Sequence, residues 1–209
     1  TVKSIALAAD YMELLGTAEK SAEQIQRELY DLACTFNIST SVDKTYIVIT
    51  GLSENMEKAI KIVEDYIANV EGNEDVLREV KSDAKQERLN AKSSQQDCFS
   101  ALQRYCIYGP EYVRKVKMSN KELNNITSEE LLSQIKELPK TEHRIMYYGP
   151  MMLNDLVGTL YGTHCTGHDL KKVEAVELKA KDVKSPNVLF AQYDAKQVYY
   201  MQYSCRTKD

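Results

Sequence analysis

The chain has 209 residues, 43% of them hydrophobic and 28% charged, enough for one ordinary globular domain of roughly 150 residues plus an extension. Lys and Arg number 27 against 31 Asp and Glu, a formal charge of -4 with no long run of one sign, which excludes the electrostatic footprint of a nucleic-acid binder. No stretch approaches the roughly 18 consecutive apolar residues of a membrane span. Five cysteines, Cys34, Cys98, Cys106, Cys165 and Cys205, are scattered without a C-x-x-C pair; they point to neither a disulfide framework nor a zinc ribbon and read as small buried hydrophobes. The chain opens Thr1-Val2-Lys3-Ser4 with no initiator Met, no signal-peptide pattern and a helical pattern at once, which suggests a fragment or processed chain.

Residues 2 to 16 place Ile5, Ala9 and Met12 on one face and Leu7, Tyr11 and Leu14 on another, so the first predicted helix is apolar nearly all round and belongs inside the protein. After Gly16, Ser21 and Gln24 form a capping box, and Ile25, Leu29 and Leu32 follow at helical spacing to about Cys34. Segments 36–42 and 45–51 switch to short β-branched runs, with Asp43-Lys44 as the turn of a hairpin. Helical period returns after Ser53, with Met56, Ala59, Ile60, Val63, Ile67 and Val70 on one stripe. Gly72-Asn73 breaks it, and a long polar helix spans about 74–92 with Val76, Val80 and Leu89 among its few apolar positions.

The next predicted helix, about 94–108, aligns Cys98, Leu102 and Cys106 and ends at Gly109-Pro110. Another starts at a capping box of Thr127 and Glu130, carries Leu131, Leu132, Ile135 and Leu138, and stops at Pro139. His143 to Tyr148 reads as a strand closed by Gly149-Pro150, residues 151 to 185 as linker, and Val188 to Tyr193 and Gln197 to Ser204 as two further strands. The fold class is α+β: an antiparallel or mixed sheet with helices packed on one face. Three strands in the first 150 residues make a thin sheet for so many helices, as if leading strands were missing.

The order of these parts resembles the repeated domain of the pitrilysin/insulinase zinc metallopeptidases, the inverzincins, whose active domains carry H-x-x-E-H on a buried helix. The carriers are the first helix ending Leu14-Leu15-Gly16-Thr17, the helix and hairpin after it, the stripe 56 to 70, the charged helix after Gly72, the run His143 to Tyr148 with Gly149-Pro150, and Tyr193-Asp194-Ala195-Lys196-Gln197. The resemblance implies a piece from the C-terminal half of a bacterial-type enzyme whose halves close around a peptide. Residues 1–150 would be an inactive domain lacking its leading strands, 151–186 a connector, and 187–209 a strand pair like the start of the next domain. Residues 188–204 are then expected to fold back into the vacant sheet positions, within one molecule or by exchange with a neighbour.

Counting back from Gly16-Thr17, the family's H-x-x-E-H window falls on Leu7-Ala8-Ala9-Asp10-Tyr11. Zinc needs two imidazoles one helical turn apart and a carboxylate to take a proton from the bound water. Leu7 and Tyr11 replace both ligands, Asp10 is a shorter acid with no metal to serve, and no His precedes residue 143. The family's third ligand is a Glu on a later helix; Glu79, Asp83 and Glu87 lie there and read as a solvated face.

His164-Cys165-Thr166-Gly167-His168 has two histidines four apart, a metal pair only if helical, and Gly162 and Gly167 argue for a loop instead. His143 heads a predicted strand and is given no role. Cys34 or Cys106 as a nucleophile lacks a visible base. Tyr147, Tyr148, Tyr199, Tyr200 and Tyr203, from a total of 14 tyrosines, suggest cross-strand aromatic pairing. The resemblance therefore implies a non-catalytic structural or substrate-chamber domain of a zinc endopeptidase, with no cofactor in this chain and zinc in the catalytic domain of the parent protein. Its partner would be the catalytic N-terminal half of the same protein, or a partner subunit if the chain is the inactive member of a heterodimer, and a peptide would sit in the closed chamber. A binding or scaffold module unrelated to peptidases is the other class of reading. Location, cytoplasmic or bacterial periplasmic, is not encoded in the visible termini.

Overall fold

A computed structural model describes residues 3–164, 170–174, 177–182, 185–194 and 200–201. The elements run α1 (Ile5–Glu13), α2 (Ala22–Asp31), β1 (Cys34–Thr40), β2 (Thr45–Gly51), α3 (Met56–Asn69), α4 (Glu74–Lys92), α5 (Gln95–Tyr108), α6 (Pro110–Val116), α7 (Asn120–Asn125), α8 (Ser128–Glu137) and α9 (Leu153–Thr163). The class is α+β, mostly helical, with a small antiparallel sheet.

The all-round apolar helix is the centre of the molecule. Ile5, Leu7, Ala8, Ala9, Tyr11 and Met12 of α1 are buried, and α8, α4 and β1 pack around it. Leu131, Leu132 and Ile135 of α8 close one side, Leu77 and Val80 of α4 another, and Ala59, Val63, Tyr66 and Ile67 of α3 join the same core. Both predicted capping boxes are formed: the Gln24 N–H donates to Ser21 Oγ at 3.2 Å and the Ser21 N–H to Gln24 Oε1 at 2.8 Å, and Thr127 and Glu130 repeat the arrangement.

β1 and β2 pair from Cys34↔Gly51 to Thr40↔Thr45. The hairpin turn is therefore longer than the predicted Asp43-Lys44 pair: the Ser41 N–H donates to the Lys44 carbonyl at 2.7 Å. Alternation along β1 points Cys34 and Ile38 into the core.

Between Gly109 and Thr127 the structure adds two helices absent from the sequence reading. The signals were present. Pro110 occupies the first turn of α6, where its missing N–H costs nothing, and Gly109 supplies the positive φ of 66° that separates α5 from it. Ser119 and Glu122 make a third capping box for α7.

His143 to Tyr148 is not a strand. An isolated parallel bridge pairs Thr141 with Lys171, and beyond it Ile145, Met146 and Tyr148 are exposed. The β-like pattern has no neighbour to exchange hydrogen bonds with, and a strand exists only as part of a ladder. Val188 to Tyr193 likewise forms no ladder among the described residues, with Val188 and Phe190 exposed, so the described part of 188–204 does not complete the sheet. Of Gln197 to Ser204, all but residues 200–201 lie outside the described residues. The predicted linker is also corrected in part, because it holds α9, which packs on α3. Gly158 and Gly162 lie within α9 with open space beside them, so the helix tolerates them at a propensity cost of roughly 1 kcal/mol each.

The connecting stretch touches the helices it passes. The Lys181 N–H donates to the Ile107 carbonyl at 2.6 Å, Lys115 Nζ to the Glu177 carbonyl at 3.1 Å, and the Tyr193 hydroxyl to the Ser93 carbonyl at 2.5 Å.

Candidate functional site

The five residues Leu7-Ala8-Ala9-Asp10-Tyr11 lie on α1 as expected, and the helix is buried along this window. Leu7 is 8% exposed and packs in the apolar core. Tyr11 is fully buried, and its hydroxyl is saturated: it donates to the Asn73 carbonyl at 2.9 Å, accepts from the Asn73 N–H at 2.8 Å, and accepts from Ser128 Oγ at 2.7 Å. The position that would carry a metal-binding imidazole instead ties the α3–α4 loop and the start of α8 to α1. Gly72 permits this approach, since a Cβ there would collide with Ser128 Oγ and stand 3.4 Å from the Tyr11 hydroxyl. The donor set does not fit zinc: one ligand position is a hydrocarbon, and the other is a neutral phenol whose oxygen is already engaged.

Tyr66 on α3 is the second such residue, and it was missed because the stripe of α3 was read from its aliphatic members alone. It is 5% exposed, and its hydroxyl reaches the Met12 carbonyl and, at 2.8 Å, the Leu15 carbonyl. The Met12 carbonyl also accepts the Leu15 N–H at 2.9 Å, so the phenol adds a second bond at the end of α1 and holds the turn that follows it.

Asp10 and Glu13 face outward from the same helix. Partial burial raises the Asp10 carboxyl above its ordinary value of 3.8, and Glu87 of α4 adds to the shift; Glu13 is raised above 4.5 by burial and then by Asp10. Glu87 is near enough to act on Asp10, and Glu79, Asp83 and Glu87 are all exposed on α4. For an acid raised in the folded state, the native protein holds protons that the unfolded chain has released, so stability falls as pH rises from about 4 through the raised values. Asp10→Asn is expected to increase the unfolding free energy at pH 7 by less than about 1 kcal/mol and to flatten the pH profile above pH 4, as thermal unfolding across pH would register. An opposite effect acts at lower pH. Glu122 is held at about 2 by the Ser119 N–H, then by Lys3 and the Ser119 side chain, so its contribution fades as pH drops below 4.5.

The other sequence candidates separate in space. His164 follows the last turn of α9 and meets two partners that sequence reading had not joined to it: Nδ1 lies 2.5 Å from Glu64 Oε1 of α3, and Nε2 lies 2.9 Å from His143 Nε2. His168 and Cys165 lie outside the described residues. Cys34 is buried, its thiol donating to the Leu32 carbonyl at 3.4 Å, and Cys106 is half-buried on α5. Among the described residues no group of three metal-binding side chains converges, and no helix is long and apolar enough to cross a membrane. Tyr147 bonds Ser53 Oγ at 3.1 Å, while Tyr148 and Tyr200 are exposed; Tyr199 and Tyr203 lie outside the described residues.

No protein-family model and no curated protein matches the sequence. Solved structures do match the fold. The ferredoxin protease FusC, crystallised with Arabidopsis ferredoxin, gives a TM-score of 0.65 at 16% identity over 85% of this chain and 20% of its own. The periplasmic protease PqqL from Escherichia coli gives 0.56 at 16% identity, over 85% of this chain and 19% of its own. An inactive M16 peptidase domain from Pseudomonas fluorescens gives 0.52 at 18% identity, over 63% of this chain and 32% of its own. The chain has the fold of an M16 peptidase domain. This M16-like domain spans about a fifth of FusC and PqqL and a third of the Pseudomonas chain. Within the M16 fold, the resemblance read from the order of elements and the shape of the chain agree, and Leu7 and Tyr11 stand on its central buried helix.

Proposed function

We propose that this chain is a non-catalytic wall of the substrate chamber in a zinc-dependent metalloendopeptidase, with the catalytic zinc carried by another domain. One observation carries the reading: Tyr11, at a ligand position of the zinc window, is built into the core by hydrogen bonds to Asn73 and Ser128, so the helix that would hold metal serves packing instead. An M16-like fold with an apolar window supports the same reading, as does the likeness to a Pseudomonas domain described as inactive. The natural partner is a catalytic half bearing H-x-x-E-H, on the same polypeptide or as a separate subunit. The substrate would be an unfolded or extended peptide enclosed between the two, in the bacterial cytoplasm or periplasm. The shared fold counts against a scaffold unrelated to peptidases.

The test joins the coding sequence to its surroundings and then to activity. An H-x-x-E-H domain encoded on the same or an adjacent gene is expected, and that domain should cleave a quenched fluorescent peptide faster when this chain is added or fused. The isolated chain should give no hydrolysis above buffer. Peptide cleavage by the isolated chain, whether or not a zinc chelator stops it, would overturn the proposal.

A further inference from the structure

His143 and His164 stand apart from the zinc window on α1: one follows the Thr141–Lys171 bridge, and the other follows the end of α9 and is supported from α3. His143 Nδ1 lies 2.6 Å from the Thr141 carbonyl oxygen. A carbonyl only accepts, so Nδ1 carries the hydrogen. His164 Nδ1 lies 2.5 Å from Glu64 Oε1, and an ionised carboxylate also only accepts. A neutral imidazole has a single N–H. With each Nδ1 so engaged the two Nε2 atoms turn toward one another: they lie 2.9 Å apart, with ring centroids 5.0 Å apart and planes crossed at 75°, so that a single cation is shared between them. A proton fills that place as an Nε2–H···Nε2 hydrogen bond, and a metal ion that displaces it takes both lone pairs.

We propose that His143 and His164 bind one divalent transition-metal ion through their Nε2 atoms, with Glu64 and the Thr141 carbonyl as orienting partners. Neutral imidazole is the form that ligates metal, and a ligating histidine ordinarily gives its other N–H to a carboxylate or a backbone carbonyl, the two acceptors found here. Zinc–nitrogen bonds of about 2.0–2.1 Å at a tetrahedral angle hold two nitrogens about 3.3 Å apart, so an opening of about 0.4 Å admits the ion. Water would fill the remaining positions. His164 is largely covered and Glu64 is half-buried, whereas His143 is exposed, so the ion reaches the pair from the His143 side. Bound metal would pin the end of α9, which buries no residue of its own, to α3 and to the Thr141 segment.

The experiment titrates the full chain, stripped with a chelator, with zinc chloride by calorimetry, followed by cobalt absorption spectra. One equivalent of zinc is expected. Binding should vanish in His143→Ala and His164→Ala and weaken roughly 10–100-fold in Glu64→Gln. Because His143 is exposed, His143→Ala should retain the wild-type unfolding midpoint without metal, which separates lost ligation from lost folding. In long-range nitrogen-15 spectra zinc should shift both Nε2 resonances and leave each ring's hydrogen on Nδ1. No zinc uptake by the wild type, undiminished uptake by His143→Ala, or an Nε2 hydrogen that persists in the presence of zinc would each overturn the proposal.

Discussion

Tyr11→Phe is expected to lower the unfolding free energy by about 2 kcal/mol, and Tyr11→Ala by about 3–5 kcal/mol, in urea titrations at neutral pH. The first value follows from what the hydroxyl holds. Removing it leaves the Asn73 N–H and Ser128 Oγ without this partner in a part-buried site, while the Asn73 carbonyl keeps the Leu77 N–H at 2.9 Å, and each abandoned group costs part of its desolvation. The second adds the cavity left by a fully buried ring among α1, α4 and α8. A Tyr11→Phe variant within a few tenths of a kcal/mol of wild type would mean that the hydroxyl is dispensable and that Tyr11 is there only for its volume.

Tyr66→Ala should rival this effect, at about 3–5 kcal/mol, with Tyr66→Phe costing about 1–3 kcal/mol. The ring lies edge-on to Phe36 of β1, with centroids 6.2 Å apart, and so joins α3 to the sheet. Its hydroxyl serves the carbonyls of Met12 and Leu15, which end α1. Burial, with Glu13 adding to it, raises the phenol well above the ordinary 10.0. The folded protein thus keeps this proton after the unfolded chain has released it, so stability declines as pH rises above 10, and the decline should be shallower in Tyr66→Phe. Equal slopes in the two proteins would remove Tyr66 from the account of alkaline unfolding.

Local signals explain why much of the fold was legible. The turn-by-turn apolarity of α1, the stripe of α3 and the boxes Ser21/Gln24 and Thr127/Glu130 involve residues within one or two helical turns, and the short-range physics that forms them survives in any tertiary setting. Pro110 and the Ser119/Glu122 box were equally local signals, left unused for α6 and α7. The strand expectations failed for a different reason. His143 to Tyr148 and Val188 to Tyr193 have strand composition, but a ladder needs a neighbour at hydrogen-bonding distance, and composition says nothing about which neighbour is present.

The candidate sites divide the same way. That Leu7 and Tyr11, where the resemblance puts the zinc window, offer no imidazole is a statement about residue types one helical turn apart, legible in the sequence alone. That Tyr11 instead bonds residues 62 and 117 positions away, and that His164 meets Glu64 at a separation of 100 and His143 at 21, depends on where distant segments pass one another. Side-chain chemistry decided what this chain cannot hold at α1; tertiary packing alone brought together the imidazoles and the carboxylate, because contacts between remote segments leave no periodic trace in either one.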